Sequence, residues 1–266
     1  MSRKKVGVAL GGGAARGLAH IGVLEVLEKE GIPIDMIAGT SMGAIVGAVY
    51  ARRRNVKFMR EIAIAFGMQK IRYFSDFTIS RTGLIKGHRI ENQLKIAIGS
   101  TIKFDDLDIP FACVAVDIDN GEEVVIRDGT VWEAVRASAS VPVIFTMPKW
   151  QGRYLVDGGL LNPVPTKVAR SMGADFVISV NVLPLPYKYT SAVDNREPNI
   201  FTILMKAFYI MDSKLIDEAT IGSDAVIQPD VAAISFTDFQ RAEECIEKGV
   251  LATQNIIADI KQKLSL

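Results

Sequence analysis

A serine flanked by glycines is the first feature of the sequence that could do chemistry. The segment MIAGTSMGAIVG at 36–47 contains the spacing Gly-x-Ser-x-Gly around Ser41. This spacing is typical of a sharp turn between a strand and a helix, in which the serine hydroxyl is exposed as a nucleophile. A serine that only caps a helix is the alternative, because serine is also favoured at that position. The apolar run before Ser41 and the small residues after it favour the nucleophile.

A nucleophilic serine needs donors for the negative charge that develops on the attacked carbonyl oxygen. The segment GGGAARG at 11–17 follows an apolar run and precedes an amphipathic segment, which predicts a glycine turn between a strand and a helix. Glycine lets backbone amides approach a ligand closely, and a helix N-terminus adds positive potential. A dinucleotide site has the same setting, but its Gly-x-Gly-x-x-Gly fingerprint would need glycine where Arg16 stands. We therefore favour an oxyanion hole.

The serine also needs a base to remove its proton, and histidine is the usual base. The chain has two histidines, His20 and His88. Neither stands in the Ser…Asp…His order of typical α/β-hydrolases. The segment DGG at 157–159 follows the apolar segment RYLV and places an aspartate after a predicted strand. Such a segment is also common in ordinary turns, and taken alone it favours a turn over a base.

Together these segments resemble the bacterial patatin-like phospholipase family. The block GVALGGGAARGLAHIGVLEVLEKEGIPIDMIAGTSMGAIVGA is similar to that family's oxyanion and nucleophile block, and VRASASVPVIFTMPKWQGRYLVDGGLLNPVP is similar to its aspartate block. The blocks stand in the family's order, and the similarity covers about residues 4–182. The resemblance implies a serine hydrolase that cleaves lipid esters, such as phospholipids or lysophospholipids, with a Ser–Asp dyad and without histidine, metal or cofactor.

The resemblance also implies a role for each motif residue. Ser41 would be the nucleophile and Asp157 the proton acceptor. The backbone amides of Gly12, Gly13 and Ala14 would form the oxyanion hole. The family often has glycine where Ala14 stands, and an alanine can still donate its amide there if its φ angle is negative. The turns would be supported by the remaining motif residues: Gly11, Arg16, Gly17, Gly39, Gly43, Gly158 and Gly159.

Strands and helices alternate along the predicted elements. Short apolar runs at 4–10 and 34–39 predict buried strands, and the segments 18–31 and 41–54 predict helices. A hairpin is expected at Asn120, which is followed by glycine. This alternation favours an α/β fold of three layers, in which helices flank a mostly parallel central sheet.

The part of the chain after the motif blocks is expected to complete the same domain. Residues 183–198 contain three prolines and predict a loop, whereas the apolar segment 200–211 predicts a helix that is a lid, an interface or core. No repeat or linker divides the chain, so we expect one patatin-like domain over 1–266, with a strand and helices after residue 183. The basic segment 51–60 either meets anionic headgroups or complements the dipole of its own helix.

Composition limits the function classes. The chain has 266 residues, of which 49% are hydrophobic, and a net charge of +1, which argues against disorder and against a nucleic-acid-binding protein. Cys113 and Cys245 form neither a disulfide framework nor a metal motif. Without a signal-peptide pattern or a long apolar run, we expect a cytoplasmic protein that touches the inner membrane face at most peripherally. Two other classes stay open: a catalytically weak regulatory or adaptor member of the fold, and a nucleotide-binding protein.

Overall fold

The computed structural model describes residues 3–68, 87–183 and 200–266. In this described part, strands and helices alternate along most of the chain. The strands are β1 (Val6–Leu10), β2 (Met36–Thr40), β3 (Phe111–Asp117), β4 (Glu122–Ile126), β5 (Lys149–Trp150), β6 (Arg153–Asp157), β7 (Phe176–Val180) and β8 (Ala225–Ile227). The α-helices are α1 (Ala19–Lys29), α2 (Met42–Arg53), α3 (Val56–Met68), α4 (His88–Ile98), α5 (Val131–Ser138), α6 (Thr166–Ser171), α7 (Ile200–Ala219) and α8 (Ala242–Leu264).

The strands form one mixed sheet in the order β5-β6-β3-β2-β1-β7-β8, with β4 paired to β3. From β3 to β8 in this order, each pair of neighbouring strands is parallel: β3 with β2, β2 with β1, β1 with β7, and β7 with β8. β4, β5 and β6 form antiparallel pairs, and β3 with β4 is the hairpin expected at Asn120. Every residue of β1, β2, β3 and β7 is buried, as expected where helices cover both faces of a sheet. The predicted α/β fold is confirmed.

Two apolar layers lie on opposite faces of this sheet. Val8 and Leu10 of β1 belong to the larger layer, which packs against α1, α2, α3 and α8. Ala9 belongs to the smaller layer, which includes Val168 and Ala169 of α6. Successive strand residues point to opposite faces, so a short apolar run supplies both layers at once.

Strand β3 brings the ends of β2 and β6 together. β4 pairs with one edge of β3 along Cys113–Asp117, so β2 and β6 share the other edge. β2 runs parallel to β3 and ends with Thr40 opposite Val114. β6 runs antiparallel and ends with Asp157 opposite Ala115. Val114 and Ala115 are adjacent in β3. Ser41, which follows Thr40, therefore lies close to Asp157.

Helix α7 buries only one of its sides. Its buried side chains include Met205, Asp212 and Ile216. Its exposed large apolar side chains are Ile203, Ile210 and Met211. The apolar segment 200–211 is therefore partly core and partly an exposed surface, and the loop expected before it lies, from residue 184 on, outside the described residues. No helix in the described ranges, α7 included, combines the length and the apolar character that a membrane span requires.

Candidate active site

Ser41 occupies a strained turn between β2 and α2. Its φ of 54° and ψ of −118° lie in a region that residues with a side chain rarely adopt. The flanking glycines allow this turn, because a Cβ atom on Gly43 would lie 2.1 Å from the Leu10 carbonyl oxygen. A Cβ atom on Gly39 would lie 2.6 Å from the Cα atom of Ala44. The predicted strand–turn–helix context of the serine is therefore present.

The Ser41 hydroxyl donates a hydrogen bond of 2.6 Å to Oδ2 of Asp157. The other carboxylate oxygen of Asp157, Oδ1, accepts from the backbone amide of Gly159 at 2.9 Å. Gly158 packs where no side chain fits, since its Cβ atom would lie 2.3 Å from the Val114 carbonyl oxygen. The DGG segment therefore forms a turn, and its aspartate also contacts the serine.

Burial shapes the electrostatics of this pair. The side chain of Asp157 is 1% exposed. Burial raises the pKa of this carboxyl to about 6, although the hydrogen bonds from Ser41 and Gly159 favour its charged form. At neutral pH the carboxylate is therefore ionised yet more basic than an ordinary aspartate, and it can accept the Ser41 proton.

The end of α5 holds both residues through contacts that the motifs did not reveal. The backbone amide of Ser41 donates to Oγ of Ser138 at 3.0 Å. The backbone amide of Asp157 donates to the carbonyl oxygen of Ser140 at 2.9 Å. Ser138 and Ser140 belong to the segment VRASAS, which the sequence shows only as the end of a helix. No spacing rule in the sequence links these two serines to Ser41.

The glycine turn after β1 requires one correction. The amide of Gly12 donates to the Pro163 carbonyl oxygen at 2.9 Å, so it cannot serve as the oxyanion donor that the resemblance implied. The amide of its neighbour Gly11 donates to the Val180 carbonyl oxygen at 3.1 Å, which extends the pairing of β1 with β7. Gly12 instead leaves room for the nucleophile, since its Cβ atom would lie 3.5 Å from the Ser41 Cβ atom.

Two amides of this turn stay available in the described structure. Gly13 and Ala14 make no backbone hydrogen bond as donors outside their own short 3-10 helix, Ala14–Leu18. The first amides of such a helix have no acceptor within it. Ala14 has a φ of 47°, so the condition of a negative φ, under which an alanine amide was expected to donate here, is not met. The amide nevertheless has no acceptor among the backbone hydrogen bonds of the described turn, because a positive φ does not remove its N–H group. This left-handed conformation explains why glycine suits the position.

The other motif residues of the turn pack it in place. Arg16 is 4% exposed, and its Nε donates to the Ile234 carbonyl oxygen at 2.6 Å. Gly17 touches α2 so closely that its Cβ atom would lie 2.5 Å from Cγ of Met42. The turn is thus clamped between the C-terminal segment and the helix that follows the nucleophile.

Neither histidine forms a hydrogen bond with Ser41 in the described part of the chain. His20 is fully buried, and its Nε2 lies 2.7 Å from the Gly11 carbonyl oxygen. Burial lowers the pKa of its imidazole to about 4, so the ring is neutral and donates to that carbonyl. His88 lies at the start of α4 with its side chain 66% exposed, 3.3 Å from Glu91. Within the described ranges, no three His, Cys, Asp or Glu side chains are grouped as metal ligands.

An apolar cavity of about 190 Å³ opens at Ser41. It runs beside α2, and its walls include residues of α2, α3, α4 and α7. Representative wall residues are Ile45, Val49, Met59, Leu94 and Met205. These residues are far apart in the sequence, so only the folded chain shows that they share one cavity. A single hydrocarbon chain fits such a site.

Asp212 of α7 reaches the turn at residues 157–160, the dyad turn, and sequence reasoning missed it. Its side chain is 2% exposed. A Cβ atom placed on Gly159 would lie 3.0 Å from Oδ2 of Asp212 and 3.2 Å from Oδ1 of Asp157. Burial, and then the charge of Asp157, raise the pKa of the Asp212 carboxyl to about 8. A charged residue in the apolar segment IFTILMKAFYIMD was the signal that could have found it.

A sequence model of the patatin-like phospholipase family matches residues 8–170, which include both Ser41 and Asp157. The chain belongs to the patatin-like phospholipase family. An uncharacterized NTE family protein of Mycobacterium bovis is 33% identical to this patatin-like chain over 216 residues, which are 81% of the chain and 59% of that protein. Lysophospholipase NTE1 of Scheffersomyces stipitis is 28% identical over 278 residues, which are 94% of the chain and 18% of that protein.

The patatin-like chain thus spans less than two thirds of these curated relatives, and only about a fifth of the fungal one. Among solved structures, VipD from Legionella pneumophila superposes with a TM-score of 0.55 at 14% sequence identity. The superposition covers 97% of this chain and 67% of VipD. At this level of identity the likeness concerns the fold alone.

Proposed function

We propose that this patatin-like chain hydrolyses carboxylic esters of lipids, with Ser41 as nucleophile and Asp157 as base. The observation that carries the proposal is the 2.6 Å hydrogen bond between the serine hydroxyl and a buried carboxylate at the mouth of an apolar cavity. A nucleophile, a base and an acyl-sized cavity at one point are what ester hydrolysis requires. Membership of a phospholipase family supports the same reaction class.

In the first half of the reaction, Ser41 Oγ attacks the carbonyl carbon of the ester while Asp157 takes the hydroxyl proton. The electron pair of the carbonyl bond moves onto its oxygen, and the amides of Gly13 and Ala14 bind this oxyanion. Each well-placed donor of this kind is worth about 2.7–4 kcal/mol. The intermediate then collapses, and the alcohol leaves with the proton that Asp157 held.

In the second half, water replaces the alcohol. Asp157 takes a proton from the water as its oxygen attacks the acyl carbon bound to Ser41. The new tetrahedral intermediate expels Ser41 Oγ, which recovers the proton from Asp157. The products are a fatty acid and free enzyme, and no step draws on His20, which is neutral and turned to Gly11.

The substrate class follows from the cavity. Its apolar walls accept one hydrocarbon chain, with the ester group at Ser41 and the polar remainder outside. Lysophospholipids and phospholipids both meet this description, and the lysophospholipase names of relatives favour the single-chain lipids. The exposed Ile203 and Met211 of α7 support a peripheral contact of this face with a lipid surface.

The decisive experiment combines an active-site serine probe with a panel of substrates. Wild type should react with a fluorophosphonate and hydrolyse p-nitrophenyl esters and lysophospholipids, whereas Ser41→Ala should do neither. Ser100→Ala is the matched control, because Ser100 is exposed and does not line the cavity at Ser41. A wild-type protein that neither labels nor hydrolyses would instead support a regulatory or adaptor role.

A second variant tests the cavity as the acyl site. Val49→Phe fills the part of the cavity that lies farther along α2, so it should lower kcat/KM for long-chain esters by about tenfold or more. Short-chain esters should change little, because their chain does not reach Val49. Ile96→Phe is the control, since Ile96 on α4 is 64% exposed. Equal losses on both ester lengths, with an unchanged melting temperature, would contradict an acyl site.

A further inference from the structure

Helix α7 carries a carboxyl group in an environment that does not suit a charge. Asp212 is 2% exposed, and its Oδ1 has no hydrogen-bond partner in the described part of the chain. No ion pair with a cation is formed by this carboxyl within the described residues. A buried carboxylate without a cation is strongly disfavoured, so such a group holds a proton instead.

The place of this carboxyl relates it to the base of the dyad. Gly159 separates the two groups, and the point where its Cβ atom would stand lies within 3.2 Å of an oxygen of each. The 3-10 turn Gly158–Leu160 is the element against which α7 packs here. Two buried carboxyl groups that lie this close to one point cannot both be charged without strong repulsion.

The same face of α7 also contributes a wall residue, Met205, to the acyl cavity. Met205 lies seven residues before Asp212, two helical turns away on the same side, and it lines the cavity that opens at Ser41. Ile216 lies one turn beyond Asp212 and is also buried. The position of α7 against the dyad turn therefore decides whether the cavity keeps its Met205 wall.

We propose that Asp212 is a positioning residue whose neutral form allows α7 to pack against the dyad turn, and that loss of its proton releases the helix. In the neutral form Asp157 can stay ionised next to it, and α7 closes the cavity. Once Asp212 is charged, two carboxylates face each other in a buried space, and the helix moves so that Asp212 reaches water.

Among the described residues, no cation next to Asp212 offsets this repulsion. The group that faces Asp212 from the dyad turn is Asp157. The charged side chains on α7 itself are exposed: Lys206, Lys214, Asp217 and Glu218. From α6, Lys167 lies 3.8 Å from Glu218 and is 67% exposed. The pKa of Asp212, raised to about 8 by burial and by Asp157, means that the group is neutral at pH 7 and charged at pH 9.

The first test is a pH profile of three proteins. The kcat/KM of wild type for long-chain esters should fall roughly tenfold between pH 7 and pH 9, because one group with a pKa near 8 loses its proton. The kcat/KM for short-chain esters should fall less. Asp212→Asn is neutral at every pH, so its profile should lack this decline. Asp217→Asn changes an exposed carboxyl on the same helix and should keep the wild-type profile. An alkaline decline that is the same in Asp212→Asn and wild type overturns the proposal.

The second test needs neither a variant nor activity. Hydrogen exchange of the wild-type protein at pH 7 and pH 9, corrected for intrinsic rates, should show loss of protection in α7 at the higher pH, with β1, β2 and β3 unchanged. Equal protection of α7 at both pH values overturns the proposal, even if Asp212→Asn does not fold. The inference uses the proposed ester hydrolysis only in the first test. A protein without esterase activity whose α7 still opens at pH 9 would refute the proposed function and support the inference.

Discussion

The dyad and helix α7 meet at Gly159, yet the fold holds them in different ways. Ser41 and Asp157 follow strands that end side by side on β3, and the glycines next to them touch backbone atoms so closely that no side chain fits. Helix α7 is held through the side chains of one face, which include a buried carboxyl group, while its other face exposes apolar side chains. Backbone packing makes the dyad geometry a property of the sheet, whereas the position of α7 depends on the state of a few side chains.

The largest expected effect is on the dyad. Asp157→Asn keeps the shape of the side chain but cannot accept the Ser41 proton, so turnover should fall by about 10³–10⁴-fold. The melting temperature at pH 7 should not fall, because the raised pKa of Asp157 shows that its buried charge opposes folding. Asp217→Asn on α7 should keep ester hydrolysis within about twofold of wild type, because this carboxyl group is exposed.

An Asp157→Asn variant that stays active would make the DGG segment a plain turn. The base would then have to lie elsewhere, and the rigid packing around Ser41 and Asp157 would no longer explain catalysis.

The next effect is on stability. Gly158→Ala places a methyl group 2.3 Å from the Val114 carbonyl oxygen, and we expect it to lower the free energy of unfolding by at least about 2 kcal/mol. Met211→Ala on the exposed face of α7 should change the same quantity by less than about 0.5 kcal/mol. Urea unfolding followed by circular dichroism measures both. Similar losses for the two variants would show that the outer face of α7 is packed as tightly as the dyad turn.

A smaller effect is expected at acid pH. Asp157 must be ionised to act as a base, and burial raises its pKa to about 6. The value of kcat/KM for a short-chain ester should therefore rise through about pH 6 and fall about tenfold per pH unit below it. Asp212→Asn should leave this acid limb in place, since Asp212 is already neutral there. A limb that moves by a full pH unit in Asp212→Asn would mean that the two carboxyls titrate as one coupled pair.

The smallest effect is expected at the histidine. His20→Gln removes an imidazole that donates to the Gly11 carbonyl and makes no contact with the dyad, so the variant should retain at least roughly a tenth of the activity. The control is His88→Gln on the surface, which should be closer still to wild type. If His20→Gln fell as far as Asp157→Asn while it stayed folded, a histidine would take part in the chemistry.

Prediction from the sequence succeeded where a local pattern has one structural solution. An apolar run, a glycine turn and an amphipathic segment in succession predicted β1 and α1, and the same order predicted the strained turn at Ser41. It failed to predict the hydrogen bonding and backbone conformation of individual residues in the glycine turn. Gly12 belongs to the motif, but its amide is engaged by Pro163, which lies about 150 residues away in the chain. Donation by the Ala14 amide was also made conditional on a negative φ angle, and the observed φ is 47°.

The sequence alone determined the α/β class, the serine with its glycine turn, and the aspartate that matches the family's base, because these features are written in contiguous patterns of residue type. Only the tertiary structure decided which amides of the turn stay available, which helices wall the cavity, and that Asp212 lies beside Asp157. The physical reason is that hydrogen-bond partners, desolvation and charge repulsion depend on distances between atoms. Residues 157 and 212 are 55 positions apart, and only folding brings their carboxyl groups to the same glycine.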